Sequence, residues 1–281
     1  HDSLTRQPWA ECCAIFGLSK RAAPIFVAGD GVRETVATKQ QPEDPATGFP
    51  PFSEEMVGRE LPSRPLAHSG ASSSLPEGLL RTLATIDAPV PFVLIIRHAE
   101  RLPIPSNDPY ADVNLTERGQ LDASSLASAL PSRPRWAAVS PFLRCTRTAE
   151  LLGVTQHEVD HRLGNPGPWV IDGEEGARLF SRQGTEGVVR AQIAGERWDF
   201  IREAQAGMRL LLSAALERLD AGRGHGVCVS HDSVLMPALA VLAGERFEGT
   251  WLAPLEGFAV RRTRRGLLCT WRGKHHEVEP W

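Results

Sequence analysis

The chain has 281 residues, 42% hydrophobic and 23% charged, with a formal net charge of −3, a composition able to bury one sizeable core and without the basic excess of a nucleic-acid or membrane-surface binder. No stretch reaches the roughly 18 apolar residues of a membrane span. The five cysteines are odd in number and lack zinc-ligand spacing, which suits a reduced, cytoplasmic setting better than a disulfide scaffold.

Residues 1–88 read as turn and linker chemistry. Gln41-Pro42-Glu43-Asp44-Pro45, Pro62-Ser63-Arg64-Pro65 and Ser69-Gly70-Ala71-Ser72-Ser73-Ser74 show little periodicity. The segment Glu11-Cys12-Cys13-Ala14-Ile15-Phe16-Gly17-Leu18 reads as a small apolar patch docking a poorly ordered arm, or as part of a tail with no fold. The folded domain is expected over 89–281, which is formally neutral, so any positive field must come from local clustering of arginines.

Pro91-Phe92-Val93-Leu94-Ile95-Ile96 is apolar without alternation and rich in β-branched side chains, as a strand buried on both faces of a parallel sheet should be. It breaks into Arg97-His98-Ala99-Glu100-Arg101, placing two arginines and a histidine where such sheets bind ligands. An arginine can grip a phosphoryl group there while the imidazole attacks it. Thr116 caps a predicted helix through Leu126 and Leu130 that Pro131 ends. A second strand, Trp136 to Ser140, precedes Arg144, and a short helix follows over 146–152. An irregular insert is expected at 153–197. Met208, Leu211, Leu212, Ala215, Leu216 and Leu219 recur at helical spacing. The strand Gly226 to Ser230 then breaks into His231-Asp232 before a helix over 233–243. A closing hairpin spans Gly257 to Val260 and Leu267 to Trp271. Strand and helix alternate, which predicts an α/β fold: a three-layer α/β/α sandwich with a mostly parallel central sheet.

These motifs resemble those of the histidine phosphatase superfamily, the phosphoglycerate mutase-like fold, over roughly 91–273. Arg97-His98-Ala99-Glu100-Arg101-Leu102-Pro103 is similar to the acid phosphatase signature RHGxRxP, with alanine for glycine. Leu115-Thr116-Glu117-Arg118-Gly119-Gln120 is similar to LTxxGxxQ, Ser140 to Glu150 matches SxxxRxxxTAE, and His231-Asp232 resembles the second histidine and the HD dipeptide of the acid phosphatase branch. The resemblance implies a phosphohistidine on His98. Arg97, Arg101, Arg144 and His231 would hold the phosphoryl oxygens, Asp232 would act as acid, and Glu100 would orient an arginine or touch substrate. It implies no cofactor and no metal. The partner would be a small phosphorylated metabolite, not nucleic acid or a membrane.

One departure separates the branches. Mutase-like members draw their proton from a glutamate, and Asn165 in Asp160-His161-Arg162-Leu163-Gly164-Asn165 stands where it would fall. An amide cannot donate that proton, so a phosphoglycerate-type phosphomutase is the alternative and a hydrolase leads. A catalytically silent phospho-ligand binder is the other alternative, and it would need neither nucleophile nor acid. Plainer readings exist for each residue: His98 as a core histidine, Arg144 as a helix-start arginine, Asp232 as a cap of the helix after it.

Overall fold

The computed structural model describes residues 75–105 and 111–279. Strands β1 (Val93–Arg97), β2 (Trp136–Val139), β3 (His157–Val159), β4 (Gly226–Ser230), β5 (Gly257–Thr263), β6 (Gly266–Trp271) and β7 (Lys274–Val278) form one sheet in the order β3-β2-β4-β1-β5-β6-β7. The four from β3 to β1 run parallel. The other three add antiparallel from β5 outward.

Both faces of the sheet are covered, which is why its central strands need apolar residues at every position. Val93, Ile95, Ala138 and Cys228 point into one buried cluster, together with Leu211, Leu212, Leu235 and Leu239. These leucines come from α5 (Ala204–Asp220) and α6 (Asp232–Ala243), with Leu179 supplied by α4 (Gly173–Ala194). Leu94, Ile96, Ala137, Val139 and Val229 point the other way. They meet Leu79 of α1 (Glu77–Ala84), Ala123 and Leu126 of α2 (Glu117–Ala129), and Ala149 of α3 (Leu143–Leu151). The result is the expected three-layer sandwich. Each fully buried leucine contributes about 1.5–3 kcal/mol of burial free energy.

Several sequence expectations shift. Helix α1 falls inside the stretch assigned to the arm, yet Leu79, Thr82 and Leu83 are buried and the Arg272 amide donates to Thr82 Oγ1 at 2.9 Å. The domain therefore takes in this helix, so the boundary at 88 is corrected. The arm motifs between residues 11 and 74 lie outside the described residues. The insert is largely helical: Asp172 caps α4 by accepting from the amides of Glu174 and Glu175, and Gly184 (φ 71°, ψ 163°) breaks it midway. A third antiparallel strand, β7, extends the hairpin.

Candidate active site

Strands β1, β4 and β2 end side by side, with Arg97 opposite Ser230 and Val139 opposite Val229. The loops that leave them converge where ligands of parallel sheets bind. Two amides continue the ladder beyond the strands, His98 to Ser230 O (2.9 Å) and Ser140 to Val229 O (3.0 Å). Helix α3 begins three residues before its predicted start, because Asp112 Oδ1 accepts the Leu143 amide at 2.8 Å. Arg144 consequently sits in the first helical turn. Thr148 Oγ1 donates to Arg144 O (2.7 Å) and accepts from the Ala99 amide (3.1 Å), which locks the Arg144 helix to the His98 loop. Gly119 lets α2 approach that loop, since a Cβ there would lie 2.1 Å from Glu100 O.

Arg97, His98, Arg101, Arg144, His231 and Asp232 all line one cavity of about 670 Å³. His98 is buried, and its Nδ1 lies 2.7 Å from Ala99 O. A carbonyl can only accept, so Nδ1 carries the hydrogen and Nε2 keeps its lone pair. Burial, reinforced by Arg144 and Arg97, pushes the pKa of His98 down to about 3 despite the Ala99 hydrogen bond. The imidazole is neutral across the physiological range.

Arg144 lies with its guanidinium 4.2 Å over the Phe142 ring. Among the described residues its Nε and Nη1, and Nε of Arg97, are buried without hydrogen-bond partners, although Nη1 lies 4.0 Å from Asp112 Oδ1. Unpaired buried donors are costly, about 1–3 kcal/mol each and more for charged groups, and a bound anion would offset that cost. His231 is buried with Nε2 2.7 Å from Ser140 Oγ and its ring centroid 5.3 Å from that of His98. Burial, then His98 and Arg144, hold its pKa well below the usual histidine value.

Asp232 opens α6. Burial favours its neutral form, but Arg97 at 3.0 Å, the Trp251 indole N–H at 2.8 Å and the Ser233 amide at 2.8 Å together hold the carboxyl below its ordinary pKa. Asn165 lines the same cavity.

Glu100, expected to orient an arginine or touch substrate, is not among the residues that line this cavity. Its side chain is exposed and accepts from Thr116 Oγ1 at 3.2 Å, because Glu100 O pairs with the Thr116 amide and turns the residue toward the start of α2. Glu186, Phe180, Thr185 and Trp251 also line the cavity, and no sequence periodicity marked them. A larger cavity, about 810 Å³, lies beside α5. Its Arg162 is already paired with Asp160 and Glu217.

The sequence model of the histidine phosphatase superfamily (branch 1) matches residues 93–265. No curated protein matches the chain. Among solved structures, a mycobacterial glucosyl-3-phosphoglycerate phosphatase is similar at 15% identity, over 60% of this chain and 89% of that one, with a TM-score of 0.42. Bacillus stearothermophilus YhfR is similar at 18% identity, over 65% and 96%, with a TM-score of 0.43. A Thermus thermophilus protein is similar at 26% identity, over 66% and 99%, with a TM-score of 0.38.

Proposed function

Because the chain belongs to the histidine phosphatase superfamily, we propose that it is a metal-independent phosphomonoester hydrolase that passes the phosphoryl group of a small metabolite through His98. One observation supports this reading: a neutral imidazole whose Nε2 keeps its lone pair shares a cavity with buried guanidinium N–H groups that have no hydrogen-bond partner among the described residues. The arginines and His231 spread charge over the non-bridging oxygens. His98 Nε2 forms the new bond to phosphorus as the ester P–O bond breaks, and Asp232 gives its proton to the departing alcohol. Water then attacks phosphorus as the P–Nε2 bond breaks and its electron pair returns to His98, while Asp232 takes a proton from the water, so one group reverses its role.

Asp232 is held ionised in the free protein, so its proton must arrive with the substrate. A phosphate monoester has its second pKa near about 6, and the monoanion supplies that proton. Binding converts monoanion and carboxylate into dianion and carboxylic acid, which the surrounding arginines favour on the phosphate side. Turnover is therefore strongest at mildly acidic pH. Asn165 in the cavity has no proton to donate, which favours hydrolysis over a mutase mechanism. Cys145, Cys228 and Cys269 are free and buried, with thiols pushed up to about 12 by burial, in keeping with a reduced cytoplasmic setting.

The test is turnover of p-nitrophenyl phosphate in excess chelator, with phosphoglycerate interconversion followed in parallel. Release of p-nitrophenol and phosphate in equal amounts, without interconversion, is expected. Interconversion would assign a mutase, and phosphate binding without turnover would assign a binder.

A further inference from the structure

We infer that Trp251 is a positioning residue for the proton-donating carboxylate: with Arg97 it occupies Oδ2 of Asp232 and so confines the transferable proton to Oδ1. The inference rests on Asp232 being the acid, as proposed above. Trp251 Nε1 donates to Oδ2 at 2.8 Å and Arg97 Nη2 lies 3.0 Å from the same oxygen. Indole and guanidinium are donors only, so a proton on Oδ2 would oppose two N–H groups. Oδ1 meets only the Ser233 amide at 2.8 Å among the described residues, which leaves it one lone pair to protonate.

Trp251 is itself held in place. Arg97 Nη1 donates to the carbonyl of the next residue, Leu252, so the Trp251–Leu252 segment grips both Arg97 and Asp232. On its other side the Arg190 guanidinium lies 5.5 Å from the indole ring. Arg190 donates to Phe247 O at 3.2 Å and Thr250 O at 3.5 Å and pairs with Glu186 at 2.8 Å. The second half of α4 thus braces the loop that orients the acid. A hydrogen bond that shifts by about 1 Å at such a point is costly to catalysis.

The charged and titratable groups around Asp232 are Arg97 and His98 from β1 and its loop, Arg101 further along that loop, Arg144 from α3, the adjacent His231, and Glu186 across the cavity. Trp251 differs from all of these because it carries no charge and does not titrate. Its loss therefore acts on Asp232 alone, by removing a hydrogen bond that favours the carboxylate. The pH dependence of kcat/KM should have two limbs, an acid limb to which Asp232 and the nucleophile His98 both contribute and an alkaline limb from the second ionisation of the substrate.

The experiment compares Trp251→Phe and Asp232→Asn with the parent on p-nitrophenyl phosphate and on a simple alkyl phosphate, whose leaving group needs the proton. Trp251→Phe is expected to lose about tenfold more on the alkyl ester than on p-nitrophenyl phosphate, in line with one hydrogen bond to a charged group. Its acid limb should move to higher pH and its alkaline limb should stay. Parental leaving-group ratio and acid limb in Trp251→Phe, beside a clear leaving-group effect in Asp232→Asn, would overturn the role of Trp251 alone. No leaving-group effect in Asp232→Asn would overturn the acid assignment and the inference with it. If Trp251→Phe does not fold, benzothienylalanine at 251 keeps the shape without the N–H, and the same results decide.

Discussion

Replacing Gly164 by alanine should cost both stability and turnover. Gly164 has φ 149° and ψ 157°, a region populated almost only by glycine, and an alanine there stores about 1–3 kcal/mol. The new Cβ would lie 2.6 Å from both His231 Cδ2 and Ser140 Oγ, and 2.8 Å from His231 Nε2. It would wedge into the 2.7 Å hydrogen bond between these side chains. Overpacking of this kind costs about another 1–3 kcal/mol. The total, roughly 2–6 kcal/mol, corresponds to a fall in Tm of about 5–20 °C for a domain of this size. Neither neighbour can retreat freely, since Ser140 is fully buried and His231 nearly so. A His231 ring displaced by about 1 Å should lower kcat by roughly 100-fold. Circular dichroism melts and p-nitrophenyl phosphate kinetics measure both quantities. A Gly164→Ala protein that melts within about 2 °C of the parent, with kcat within about twofold, would refute the close packing of Gly164 on His231.

Further outcomes follow from burial and charge. His98 protonates near pH 3 when folded but near about 6.5 when unfolded, so the unfolded chain binds more protons between those values and stability rises with pH across that window. Tm should fall as pH drops from about 6.5 to about 5.5, above the range where most carboxylates titrate. His98→Asn should reduce that slope, the remainder coming from His231, which burial also holds well below its ordinary value, and a parental slope would contradict the buried neutral imidazole. Leu79→Ala should cost about 2–5 kcal/mol with kcat retained, because Leu79 is fully buried away from the cavity. For the same reason a chain starting at residue 75 should melt well above one starting at 89, and equal melts would return α1 to the arm. Vanadate should inhibit competitively as a mimic of the in-line geometry, and chelators should leave turnover intact.

The strands and the side chains that meet in the cavity were legible because their causes are local. An apolar run with no alternation, followed at once by Arg97-His98 or His231-Asp232, encodes both a buried strand and its functional end. The Thr116 cap is equally local, with Oγ1 accepting from the Gly119 amide at 2.9 Å. What stayed hidden depends on distant partners. The start of α3 is set by Asp112, 31 residues before Leu143. Helix α1 spans 8 residues, little more than two turns, and it is stabilised by packing on the sheet. The insert helix is interrupted at Gly184, which breaks the pattern that would have announced it. Strand β7 reads Lys-His-His-Glu-Val and owes its place to backbone pairing with β6. Glu100 carried a motif position yet turned outward, and Trp251 carried no motif yet reached Asp232. Side-chain direction in both depends on what the neighbouring loop meets in space.

The nucleophilic role of His98 is tested most directly by trapping the intermediate. Protein mixed with ³²P-labelled monoester, quenched within a turnover and digested, should yield one labelled peptide spanning His98, with the phosphate stable in alkali and lost in acid as a phosphoramidate requires. His98→Ala should carry no label and turn over by a factor of roughly 10⁴ or more below the parent, the scale of losing a catalytic nucleophile. Label on another residue, or near-parental turnover without His98, would contradict the covalent mechanism.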